Sequence, residues 1–208
     1  MKKFRLFVDM DKEEQYLNRM AKNGCRLTKY SSLGVYTFVP AEPADLHYKI
    51  DYRVFKRKSE FEQYVTLFED AGWEHVCGTR YSGGQFFLPG TGNRQTPEIF
   101  SDTRSRADRY KRFFDQSLYG FMCMLIYVVA VFGGSGFKFP GFAYLTPGLW
   151  EKKGLAFWWA FLFETPFVLL RFVPLVIFFI LTVLYGYFAF KAQKLYKKSL
   201  EEGGCVRL

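Results

Sequence analysis

Histidine and cysteine are scarce: the chain of 208 residues has two histidines, His47 and His75, and four cysteines, Cys25, Cys77, Cys123 and Cys205. The cysteines are scattered without a Cys-x-x-Cys pair, which argues against a zinc knuckle and a disulfide framework, and they are read as free thiols. Metal binding needs clustered ligands, yet the histidines fall on different strand candidates, with Cys77 the one ligand type beside His75. No metal site is expected. Gly-x-Gly-x-x-Gly, P-loop, Gly-x-Ser-x-Gly and His-Glu-x-x-His motifs are missing; Gly83-Gly84 and Gly90-Thr91-Gly92 read as turn and linker glycines. Neither a catalytic residue nor a cofactor is therefore expected, and the chain is not read as an enzyme. A secretory signal is missing too, because Met1-Lys2-Lys3 leads into a short alternating segment that meets Asp9 and Asp11, so the N-terminal part is expected in the cytoplasm.

What is present is apolar and aromatic, at 50% and 21% of residues, too rich for a disordered chain. It is unevenly spread. Residues 1–116 carry 20 basic and 16 acidic side chains, whereas the remaining 92 carry 9 and 4 among long apolar runs. A soluble domain followed by a membrane part is the reading.

The soluble part repeats itself. Sliding residues 4–38 onto 52–86, a gapless offset of 48, places Arg5 on Arg53, Phe7 on Phe55, Tyr16 on Tyr64, Gly24 on Gly72 and Phe38 on Phe86. Asp11 with Glu14 and Ser59 with Glu62 have the capping-box form, and Gly24 and Gly72 stand where a left-handed helix end is expected. Alternating segments precede each helix, and two strand candidates follow it. The spacing predicts an α+β fold: a duplicated strand-helix-strand-strand unit, repeats at about 3–40 and 46–89 within a domain of 1–100, forming an antiparallel sheet with helices on one face. Period-two alternation assigns Phe4, Leu6, Val8, Tyr48, Ile50, Tyr52 and Val54 to the helix side, and Arg5, Phe7, Lys49, Asp51, Arg53 and Phe55 to the open face.

Residues 101–116 predict a basic helix, started by Ser101 or Asp102 and loaded with Arg104, Arg106, Arg109, Lys111 and Arg112. A membrane region of 117–190 follows, with spans at about 117–134 and 170–190; the run from Phe172 to Phe190 reaches roughly 28 Å, close to a hydrocarbon core. Segment 154–168 contains Trp158, Trp159 and Pro166 and reads as interfacial or partly inserted, and 191–208 reads as a basic cytoplasmic tail. Basic clusters at the inner ends of both spans place both termini in the cytoplasm, with Gly133 to Gly154, including Lys138, outside. Glu164 and Arg171, seven residues apart, either pair within the membrane or anchor a helix end near the headgroups.

Basic charge with aromatics also suits nucleic acid, but the soluble half is nearly balanced, and lipid headgroups account better for the juxtamembrane excess. The remaining constellation is Arg5 with Arg53, with Phe7, Phe55 and Asp51 beside them. It is either a clamp for a small planar or anionic ligand, or a structural pairing with Asp51 and Asp9.

Phe7-Val8-Asp9, Glu13-Glu14-x-x-Leu17-Asn18-x-Met20-Ala21-x-x-Gly24, Tyr48-x-Ile50-Asp51-Tyr52-Arg53, Ala71-Gly72-Trp73-Glu74 and Glu98-Ile99-Phe100-Ser101-Asp102 resemble a bacterial domain of unknown function over roughly residues 3–115. The resemblance implies a gene neighbourhood shared with PadR-type transcriptional regulators and C-terminal membrane helices. Cys25 stands where members of that family often carry Trp, as Trp73 does in the second repeat. The repeat is also similar in topology to the ligand-binding domains of gyrase-inhibitor-like proteins, a likeness of architecture alone. The expectation is a membrane-tethered sensing or docking protein that takes a small ligand or a regulatory protein and modulates transcription or envelope stress. The alternative is a small membrane component of a transporter, pore or immunity system. Its expected partners are the bilayer, a regulatory or membrane protein and a small ligand, and not nucleic acid.

Overall fold

The structure is a computed structural model that describes residues 1–90, 98–100, 102–134 and 144–204, without the side chains of 131–134, 171 and 203–204. Readings that concern Ser101, Lys138, the Arg171 side chain, Cys205 or the glycine linker at 91–92 lie outside the described residues.

The strand-helix-strand-strand unit occurs twice: β1 (Lys2–Phe4), α1 (Met10–Lys22), β2 (Cys25–Ser31) and β3 (Val35–Pro40), then β4 (Lys49–Tyr52), α2 (Lys58–Asp70), β5 (Trp73–Cys77) and β6 (Gly84–Pro89). Helix α1 is capped by Asp9, whose carboxylate accepts the Lys12 N–H at 3.2 Å, and α2 by Arg57, whose N–H donates to Glu60 at 3.4 Å. These caps keep the offset of 48 but lie two residues before Asp11 and Ser59, the caps read from the sequence. Asp11 and Glu14 are engaged elsewhere, as described below. Both helices end at a glycine in the left-handed region, with φ of +74° at Gly24 and +84° at Gly72.

β2 and β5 carry a bulge at equivalent places, between Leu27 and Lys29 and between His75 and Cys77. After the next turn the offset becomes 49. Gly34 and Gly83 both have φ of +77°, and their carbonyls accept the N–H of Arg5 and Arg53 at 2.9 Å each. The second hairpin turn thus holds one extra residue, and Phe38 corresponds in space to Phe87 rather than Phe86.

The strands form two antiparallel three-stranded sheets, in the orders β1-β3-β2 and β4-β6-β5, where one continuous sheet was expected. The bulged strands β2 and β5 lie side by side, linked by Arg26 and Glu74 at 3.7 Å, without a hydrogen-bonded ladder. A bulge bends and twists its strand, and two of them at one junction prevent a continuous register.

Each helix covers one face of its own sheet, and the second sheet is covered on both faces. Tyr64 and Phe68 of α2 pack on Phe87, with Phe55 and Trp73, on one side. On the other, Ile50, Phe86 and Leu88 share a core with Leu17 and Met20 of α1 and with Tyr36 and Phe38 of β3. Every position of β6 from Gly84 to Leu88 is buried. Burying each large apolar side chain contributes about 1.5–3 kcal/mol, so this doubly covered strand anchors the fold.

Two long helices complete the chain: α3 (Thr103–Gly134) and α4 (Leu155–Gly204). The first compact unit takes Met1–Asp115 together with the end of α4 from Ala189, and the second takes Gln116–Phe188. The first unit is therefore larger than the domain of 1–100 read from the sequence. Leu195 and Tyr196 of α4 pack on the same core as Tyr110 and Phe113 of α3.

Within the second unit, Gly120 faces the Tyr185 ring and Gly186 faces the Phe121 ring, a reciprocal close approach of α3 and α4, with the tilted rings of Tyr127 and Phe178 4.2 Å apart. Both helices are long and apolar enough to cross a membrane. Helix α4 is continuous through Pro166 and Pro174, whereas the sequence suggested a separate interfacial segment at 154–168. Directly before Pro166 the Thr165 hydroxyl donates back to the Phe161 carbonyl, one turn earlier, at 2.7 Å.

Candidate functional site

An outer strand exposes a row of backbone groups that need partners. On β4 the outward row is met by side chains instead of a further strand. From α1, Asn18 accepts the Tyr48 N–H at 2.7 Å and Glu14, one turn earlier, accepts the Ile50 N–H at 3.1 Å. From α3, Arg109 donates to the Ile50 carbonyl at 3.0 Å and Arg112 Nε to the Tyr52 carbonyl at 2.6 Å.

The same arginines enter a cluster of acids. Arg109 bridges Asp11 at 2.7 Å and Glu14 at 2.8 Å, Arg106 reaches Asp11 at 2.8 Å, and the Tyr110 hydroxyl donates to Asp11 at 3.1 Å. Arg112 pairs with Asp51, which also accepts the Tyr64 hydroxyl at 2.8 Å. Lys49 lies 3.6 Å from Glu14 and 3.3 Å from Glu98.

Arg109 is the centre of this seam, with 2% of its side chain exposed. Burial disfavours its charge, but Glu14, Tyr110 and Asp11 outweigh that and hold it protonated. Burial also works against the Asp11 anion, yet Arg109 and Arg106 hold its carboxyl below the ordinary range. At Glu14 burial prevails over Arg109 and Lys49 and raises the carboxyl. Glu13, which accepts a hydrogen bond from the Tyr36 hydroxyl, is pushed up to about 8 by burial, with Glu14 adding to the rise against the pull of Tyr36 and Arg109. Beside it is a cavity of about 30 Å³ lined by Phe7, Tyr30, Tyr52 and Phe113 among others, room for a single water.

This arrangement is suited to holding α3 against the duplicated domain. The basic stripe of 101–116 was read as a headgroup ligand, but three of its five cations, Arg106, Arg109 and Arg112, face acids of the domain. The signal was present as matched spacing: Asp11-x-x-Glu14 on one helix and Arg106-x-x-Arg109-x-x-Arg112 on the other.

The residues proposed from alternation are not brought together on an open face. Asp51 and Phe55 are buried, at 2% and 4% exposure, and Phe7 packs half-buried against Tyr16. Arg5 and Arg53 are exposed but separate: Arg5 lies 5.0 Å from the Tyr16 ring and Arg53 5.7 Å from that of Tyr64, the equivalent tyrosine of its own repeat. Asp51 pairs with Arg112, and Asp9 caps α1, so neither is the anticipated arginine partner. In contrast Phe4, Leu6 and Val54, assigned to the core, are exposed. His75 bonds Gln85 at 3.1 Å, and burial keeps it below the ordinary histidine range. The Cys77 thiol is pushed up to about 12 by burial and by Glu13. Glu164 is buried and accepts the backbone N–H groups of Leu145 and Thr146, the latter at 3.1 Å, so within the second unit it fastens the chain before the short 3-10 turn at Leu149–Glu151.

No curated protein and no solved structure matches this chain. A family model does match, over residues 9–123, and the match runs through both repeats and the docked start of α3. It therefore takes in Asp11, Glu14 and Asp51 as well as the three arginines that meet them. The chain belongs to the family described as "Protein of unknown function (DUF2812)".

Proposed function

We propose that this protein is a membrane-tethered sensing or docking module, whose duplicated cytoplasmic domain takes a small ligand or a regulatory protein and passes its state to the membrane helices through the ionic seam. The carrying observation is that α3 runs unbroken from arginines fixed in the domain core to an apolar stretch long enough to span a bilayer. A flexible tether would keep a domain near the membrane without a fixed attachment; a buried guanidinium that bonds both a β4 carbonyl and two carboxylates fixes the start of α3 to the domain. In this reading the output is a change in transcription or in the envelope stress response, and both termini are cytoplasmic. The return of α4 to the first unit at Ala189 supports an even number of crossings.

The test compares transcript profiles of cells that make equal amounts of the wild-type protein or the Arg109→Met variant. A relay through the seam expects a changed profile at unchanged protein abundance. Indistinguishable profiles from a variant shown to lose the seam would contradict it.

A further inference from the structure

The end of the domain at which α3 leaves is marked by Phe113, which packs on Tyr52 at 4.9 Å and lines the small cavity with Phe7, Val8 and Tyr30. At that end each repeat presents a turn tip. In the first repeat Leu33 is 74% exposed, Leu6 sits over the Gly34 turn, and Phe4 pairs with Val35 beside it, 66% exposed. In the second repeat the equivalent positions are Val54 and Tyr81, 42% and 63% exposed, with the Arg80 guanidinium 4.3 Å from the Tyr81 ring. Large apolar side chains left in water at two symmetry-equivalent tips need a reason.

The charges around them have one sign. Arg5 donates its N–H to the Gly34 carbonyl at the first tip, with Lys29 on the strand that leads towards it, and Arg53 donates to the Gly83 carbonyl at the second, with Arg80 in that turn and Lys56 next to Phe55, whose N–H meets the Arg80 carbonyl; among the described residues none of these enters an ion pair. No Asp or Glu occurs in segments 1–8, 25–40, 52–58 or 75–90. Apolar tips with a basic collar fit the interface of an anionic bilayer, where the rings and leucines enter the acyl boundary and the cations meet phosphates. Cations stacked on a ring keep their N–H groups free to donate.

We infer that the two turn tips, around Leu33 and Tyr81, form a contact surface for anionic lipid headgroups, with Arg5, Arg53 and Arg80 as phosphate partners. This rests on the membrane-tethered reading and adds to it a second, lipid-dependent attachment. It also gives Arg5 and Arg53 a shared role without a shared ligand: each serves one tip. An acidic protein segment is the competing occupant, and the apolar tips favour lipid, because a polyanionic peptide gains little from exposed leucine.

The test uses the full chain with Cys25→Ser, Cys123→Ser and Cys205→Ser, labelled at Leu33→Cys or, separately, Tyr81→Cys with an environment-sensitive fluorophore; Cys77 is buried. The protein is placed in nanodiscs of phosphatidylcholine alone or with phosphatidylglycerol. The inference expects quenching by spin-labelled lipid at both sites that is at least about twofold stronger in the anionic discs, weaker in high salt, and lost in Arg53→Glu/Arg80→Glu at the second tip. The milder Arg80→Gln variant, which alters one exposed side chain, should weaken it in part and guards against misfolding of the double variant. Equal, weak quenching in both discs, from protein that has entered them, overturns the lipid surface and leaves the tether intact. Failure of the wild-type protein to enter discs, or its release from cell membranes by alkaline carbonate, overturns the tether itself. Protection of the label by poly-glutamate but not by lipid assigns the tips to an acidic protein and overturns the inference.

Discussion

At the scale of single residues, burial and charge set two opposite pH dependences in one cluster. Glu13 carries its proton more tightly folded than unfolded, with a folded value of about 8 against an ordinary 4.5. Its contribution to stability is therefore full below the unfolded value and is lost as pH rises through the folded one. Asp11 has the reverse sign: its lowered carboxyl stabilises the fold above the ordinary value and ceases to do so as the pH falls. In urea unfolding of the full chain in detergent, Glu13→Gln should remove a loss of stability on the order of a few kcal/mol between pH 5 and 8.5. A wild-type protein equally stable at both ends of that range would contradict the buried carboxyl. The arginines should differ as sharply. Arg109→Ala leaves Glu14 buried without its main partner and should cost about 3–5 kcal/mol. Arg106→Ala removes a pair that is 43% and 38% exposed and should cost no more than about 1 kcal/mol.

At the scale of elements, the helix ends carry the duplication. Gly24 has φ of +74°, and a Cβ there would stand 2.9 Å from the Ala41 carbonyl oxygen, so Gly24→Ala should destabilise by about 1 kcal/mol or more, read as a lowered urea midpoint. The repeat and its order of elements were legible because caps, periodicity and glycine ends are local signals. The face assignments were not. Alternation separates the two sides of a strand, but says nothing of whether both are covered, and Asp51 and Phe55 are buried because α2 lies over the side assigned to solvent. The seam was half legible. A basic stripe before an apolar run reads as a lipid anchor, and only folding brings Arg109 to Glu14, 95 positions earlier. Pro166 likewise signals a break locally, while α4 continues through it.

At the scale of the molecule, the tether is the central claim: the start of α3 is part of the domain, not a linker beneath it. If both termini are cytoplasmic, cysteines introduced at Arg104 and Lys197 should resist a membrane-impermeant reagent in intact cells, and labelling of Lys197→Cys from outside would contradict the even number of crossings. The tether itself is tested most directly by the distance distribution between spin labels at Glu62→Cys on α2 and Lys111→Cys on α3, measured by pulsed electron resonance on the full chain in nanodiscs. The expected result is a narrow distribution in the wild-type background that broadens when Arg109 is changed to Ala. A broad distribution in both, or a narrow one indifferent to Arg109, would contradict the account.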